Sequence, residues 1–229
     1  MASERRAETS RLEGFSDAVF AFALTLLVVS LEVPHSYDEL LQALHNFIAF
    51  AITFAALIWI WYQHYVFFHR YGLNDGVMVT LNAALLFVVL LYVYPLKFLC
   101  QYLVDHALGI ANAATPTIEP SQTAGLVIVY GLGYLAVFSA FLLMYLYAYA
   151  RRGELRLTRL ELFDTRYEIQ VSLINVGTAL ASVIIAIVGG APATLAAGLV
   201  YFALGPVRAV HGMMSGRRRR TLERSTATA

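Results

Sequence analysis

Six apolar runs, at about 14–33, 47–68, 77–100, 124–150, 167–188 and 191–210, alternate with short polar segments along this chain. Each meets or approaches the roughly 20 residues a helix needs to cross a hydrocarbon core about 30 Å thick. None shows the two-residue alternation of barrel strands, and in lipid only helices and closed barrels satisfy every backbone polar group. The pattern therefore predicts an all-α, polytopic membrane protein with six transmembrane helices per subunit. A domain scheme follows: an N-tail over 1–13, a six-helix transmembrane domain over 14–210 and a basic C-tail over 211–229. The first run reads as a span and not as a cleaved leader, because no small-x-small site follows it. The longest linkers, about 101–123 and 151–166, are too short for a core of their own.

Composition agrees. Of 229 residues 59% are hydrophobic and 14% charged, against about 45–50% and 25% in ordinary soluble domains. The formal net charge of +1 hides a strong asymmetry. All 15 arginines fall in the N-tail, the second-to-third and fourth-to-fifth loops, or the C-terminal end, whereas the lone lysine, Lys97, lies toward the other side with Glu32, Asp38, Glu39, Asp105 and Glu119. By the positive-inside rule both termini are expected to be cytoplasmic, and the expected location is the plasma membrane. The run Arg217 to Arg220 directly follows the last span and reads as a topology anchor near anionic lipid, so no nucleic-acid partner is expected. One cysteine, Cys100, excludes an intrachain disulfide and a cysteine-based metal cluster. No metal or other cofactor is expected.

Enzymatic motifs are absent. His64 and His69 are five apart, which misses the i, i+4 zinc spacing, and no G-x-S-x-G or phosphate loop occurs. The stretch Val129-Tyr130-Gly131-Leu132-Gly133-Tyr134 looks like a potassium-channel filter, but it lies inside an unbroken apolar run, where its glycines favour close helix packing instead.

The first helix has two unlike surfaces. At about 100° per residue, Arg11, Phe15, Ala18, Phe22, Leu26, Val29 and Val33 lie within about 40° of one line, with Thr25 on its flank. Ser16 and Asp17 point well away from that line and need polar partners at membrane depth. Candidates are His64, in the W-x-x-H pattern with Trp61, and Asn82, in a third segment introduced by Asp75. A network of Asp17, Ser16, His64 and Asn82 near the cytoplasmic end is expected. By itself the apolar stripe fits lipid contact or packing as well as a pore.

Arg11 followed by Phe15-Ser16-Asp17 and an apolar run, with Trp61-x-x-His64, Asp75, Asn82 and Pro95 behind it, resembles the transmembrane protein 175 family of potassium channels over about residues 11–98. The resemblance implies a potassium-permeable cation channel without a pore-loop filter, assembled in its single-repeat form as a homotetramer with the first helix lining the pore. Carried over by position, the pore constriction falls on Phe22, Leu26 and Val29, and the selectivity hydroxyl on Thr25; Phe22 stands where the family usually has Ile or Leu. Arg11, Phe15, Ser16, Asp17, Trp61, His64, Asp75 and Asn82 are expected to form the structural network that holds the helix. Apolar rings of this kind close a pore by dewetting. Four Glu32 carboxylates would concentrate cations at the outer mouth, although a solvated helix end explains Glu32 equally well. A proton pathway, a secondary transporter and a non-conducting assembly protein are the alternatives that the residues leave open.

Overall fold

The computed structural model describes residues 2–29, 35–109 and 115–227, and among them every regular element is helical. Two compact units, 1–118 and 119–229, divide the chain.

The first unit packs three helices against one another: α1 (Ala2–Val29), α2 (Tyr37–Tyr71) and α3 (Gly76–Leu108). Local chemistry sets their ends. Ser36 caps α2 by accepting the Glu39 amide at 3.2 Å. Gly72, at φ 55°, closes α2 in the left-handed conformation that glycine adopts without a Cβ penalty. Asp75 then starts α3, its carboxylate accepting the amides of Val77 and Met78 at 3.0 and 3.1 Å. Between these two caps the chain reverses tightly, so α2 and α3 run antiparallel. On α2 the buried residues Ala49, Thr53, Leu57, Ile60, His64, Phe67, Phe68 and Tyr71 recur at three- and four-residue steps, the single stripe that a helix packed on one side requires.

The third helix does not stop at 100, where the apolar run ends, but continues to Leu108. These added turns were expected to be linker. Gln101 and Asp105, one turn apart, lie on the buried side of this extension, with Asp105 accepting from Gln101 at 2.8 Å and from Thr115 at 2.7 Å. Asp105, expected to be a loop charge, is 2% exposed. Gln101 also donates to Asn46 of α2 at 3.0 Å, so polar pairing extends the hairpin beyond its apolar part.

The second unit is built on α4 (Thr123–Ala150) and α5 (Arg159–Gly189), followed by the short α6 (Thr194–Leu199) and α7 (Leu204–Ala227). Thr158 and Glu161 form a reciprocal capping box at the start of α5. Gly131 explains the closeness of α4 and α5: a Cβ there would meet Val183 Cγ2 at 2.5 Å. The filter-like stretch is thus ordinary continuous helix. The last apolar run is less regular than expected. A 3₁₀ turn at Val200–Ala203 separates α6 from α7, because Pro206 has no N–H to give the Phe202 carbonyl and its ring crowds that carbonyl. Beyond residue 210 the helix continues to Ala227, and Arg219 pairs with Asp164 of α5 at 3.0 Å.

Among the described residues, five helical segments are long and apolar enough to cross a membrane: Glu39–Tyr71, Gly76–Leu108, Pro120–Ala150, Arg159–Gly189 and Ala191–Arg219. The apolar part of α1, the expected first span, reaches Val29, where the described part of this segment ends. Glu32 and Val33 lie outside the described residues.

Candidate functional site

The site is organised by the depth at which three helices place their polar residues. His64 lies seven residues before the end of α2 and Asn82 six residues after the start of α3, so the antiparallel hairpin sets them at one level. Ser16 of α1 completes the set, and all three are essentially buried, at 1%, 1% and 0% exposure.

Their hydrogen bonds have only one consistent direction. The Leu12 carbonyl can only accept, so the Ser16 hydroxyl donates to it at 2.9 Å. Ser16 Oγ then accepts from Asn82 Nδ2 at 2.9 Å. Asn82 Oδ1 therefore faces His64 Nε2 at 2.7 Å, and the imidazole must donate from that nitrogen. Phe20 and Phe68 flank the imidazole, with ring centroids 5.6 and 4.6 Å away. A chain that runs one way and ends on a carbonyl holds three helices together and leaves none of these bonding groups orphaned.

Asp17 does not join that chain. One residue along α1 turns its side chain by about 100°, which takes it away from the Ser16 site to an exposed position where Trp61 Nε1 donates to it at 2.7 Å. The expected four-membered network is therefore two contacts: Ser16–Asn82–His64 inside and Asp17–Trp61 at the surface. The two ionisable groups of the proton-pathway alternative, Asp17 and His64, have different partners. Three other expected members stand apart. Asp75 spends its carboxylate on the N-terminus of α3. Arg11 and Phe15 are exposed, Phe15 at 61%, because both lie on the opposite stripe of α1.

That stripe is the second half of the site. The face of α1 carrying Ser16, Phe20, Ala23 and Leu27 is buried against α2 and α3. The opposite face carries Phe15, Ala18, Phe22 and Thr25, all exposed, with Phe22 at 57% and Leu26 half-buried on its edge. Val29 is helical, but its side chain is not among those described. Thr25 donates its hydroxyl proton to the Ala21 carbonyl at 2.9 Å, which leaves the oxygen lone pairs available to a cation. Among the described residues no group of three or more His, Cys, Asp or Glu side chains converges as a metal site.

Sequence reasoning missed the buried polar contacts of the second unit. Tyr134 donates to Asn175 at 2.8 Å, and Ser182 donates to the Ala197 carbonyl at 2.8 Å. Single polar residues in otherwise apolar runs were the available signal. Which of them meet depends on helix rotation and packing.

Fold and site together define a polytopic helical membrane protein whose first helix is pinned on one face by a buried hydrogen-bond chain and bare on the other. Comparison with known proteins gives the family. Residues 11–92 match the profile described as "Endosomal/lysosomal potassium channel TMEM175". A protein of Marivirga tractuosa named "Potassium channel" is 41% identical over 229 aligned positions, covering 96% of this chain and 93% of the relative. A potassium channel of Chamaesiphon minutus is 35% identical over 107 positions, covering 43% of this chain and 53% of that protein. Among solved structures, a variant of the potassium channel MtTMEM175 in complex with a Nanobody-MBP fusion protein superposes with a TM-score of 0.80 at 40% identity, covering 90% of this chain and 93% of that one. A lysosomal potassium-selective channel TMEM175 homolog from Chamaesiphon minutus superposes with a TM-score of 0.52 at 25% identity, covering 86% and 98%. This chain belongs to the TMEM175 family, which is a family of ion channels and not of enzymes.

Proposed function

We propose that four copies of this chain assemble around one axis in the plasma membrane, each crossing six times with both termini cytoplasmic, to form a potassium channel. The bare stripe of α1 lines the pore. Phe22, Leu26 and Val29 form stacked apolar rings that close by dewetting. Thr25 oxygens replace part of the hydration shell of the ion, and Glu32 raises the cation concentration at the outer mouth. Potassium is the permeant species and no cofactor takes part.

One observation carries this reading: α1 buries one face within the chain and leaves the opposite face, with Phe22 and Thr25, uncovered. Thr25 gives that face an outward oxygen that a cation pathway can use. The names of the relatives support potassium as the ion.

Flux into proteoliposomes tests the proposal. Reversal potentials should follow the potassium gradient. Phe22→Ala should raise both potassium and sodium flux severalfold by widening and wetting the constriction. Thr25→Ala should lower discrimination between the two ions and leave the apolar closure intact. Unchanged flux and selectivity in both variants, each shown to be folded and assembled, would mean that α1 is not the pore.

A further inference from the structure

We infer that Arg152 and Arg166, which bracket Tyr149 where α4 and α5 meet the arginine-bearing face of the membrane, bind the phosphate of an anionic phospholipid in the adjacent leaflet. Tyr149 is the second-last residue of α4. The Arg152 guanidinium carbon stands 4.7 Å from the centre of its ring and that of Arg166 5.5 Å from the same point. Arg166 places both Nε and Nη2 on the Tyr149 hydroxyl, at 3.2 and 2.8 Å, and Arg152 donates Nη1 to the Tyr149 carbonyl at 3.0 Å. Two like charges are thus held on one phenol by neutral acceptors only.

Acids close by in sequence are engaged elsewhere. Glu154 pairs with Arg151, Asp164 with Arg219, and Glu161 caps the N-terminus of its own helix at Thr158. Glu168 lies about 200° around α5 from Arg166. Arg152 uses one donor nitrogen and Arg166 two, so both forks keep N–H groups that suit a phosphate.

The position selects a lipid over a free ion. Below Tyr149 on α4, about 60° around the helix, comes Leu146, 42% exposed, and below Arg166 on α5, about 20° around, comes Leu173, 51% exposed. A phosphate on the two guanidiniums would send its acyl chains along these leucines. A soluble phosphate ester would gain nothing from them.

The test uses the purified full-length protein. Phosphatidylglycerol competes with phosphatidylcholine, and retained lipid is counted by native mass spectrometry. The intact channel should prefer the anionic lipid by at least about fivefold, and Arg152→Gln with Arg166→Gln should reduce that to below about twofold. Arg5→Gln with Arg6→Gln removes the same charge from the N-tail and should keep the original preference. Should the first double variant not elute as a folded species, Arg152→Gln alone leaves the Arg166–Tyr149 bonds in place and should still lower the preference at least about twofold. No preference in the unsubstituted protein overturns the inference, as does an equal loss in the Arg5/Arg6 control. Displacement of the bound lipid by millimolar inorganic phosphate would assign the site to the free ion and overturn its lipid character.

Discussion

At the scale of single residues, Asn82 has the most to lose. Its amide links Ser16 of α1 to His64 of α2, and it uses donor and acceptor at once. Asn82→Leu therefore orphans the buried His64 Nε2–H, at about 1–3 kcal/mol, and leaves Ser16 bonded to Leu12 alone. Asp17→Asn keeps an acceptor for Trp61 at an exposed position and should cost less than about 1 kcal/mol. Melting of the purified protein in detergent checks the order. A destabilisation by Asp17→Asn equal to that by Asn82→Leu would show that the surface contact, and not the buried chain, holds α1. These residues were partly legible in advance. Polar side chains in an apolar run must find partners, so Ser16, His64 and Asn82 stood out at once. That Asp17 would pair with Trp61 was not legible, because both partners could equally well meet water or a headgroup.

At the scale of elements, the pairing of α4 with α5 depends on the missing side chain of Gly131. A methyl there would stand 2.5 Å from Val183 Cγ2, in a seam where Val183 is 6% exposed. Gly131→Ala should destabilise the protein by about 1–3 kcal/mol through overpacking, and Val183→Ala in the same chain should restore at least half of the loss. Thermal melts of the two single variants and the double variant measure this coupling. Additive losses would place the strain elsewhere. Helix ends were only partly predictable. Ser36, Asp75 and Thr158 occupy the cap positions their chemistry suits, yet α3 outruns its apolar stretch because Gln101 and Asp105 find polar partners. Hydropathy cannot register such an extension, since the residues that drive it are hydrophilic.

At the scale of the whole molecule, the first helix must meet its copies if the proposed pore exists. Phe22→Cys in a Cys100→Ala background should give disulfide-linked dimers on mild oxidation, because four copies of one residue surround a narrow axis. Cysteine at Leu91, which is 66% exposed on α3, should give few. Gel shifts read the outcome, and a strong cross-link at Leu91 with none at Phe22 would replace the α1-lined tetramer with another arrangement. The membrane character of the chain needs no such test, for the described residues include five segments of the required length and apolarity.

The sequence by itself determined the medium, the helical class, the family and the two-faced character of the first helix. Each is a one-dimensional property: run length, composition, motif order and a period of 3.6 residues all act along a single segment. Only the tertiary structure decided which polar residues meet, that Asp105 is buried, and that two arginines share one tyrosine. Those outcomes depend on how far each helix rotates and slides against its neighbour. Side-chain volume at the contact, such as the absent methyl of Gly131 against Val183, sets that rotation and displacement.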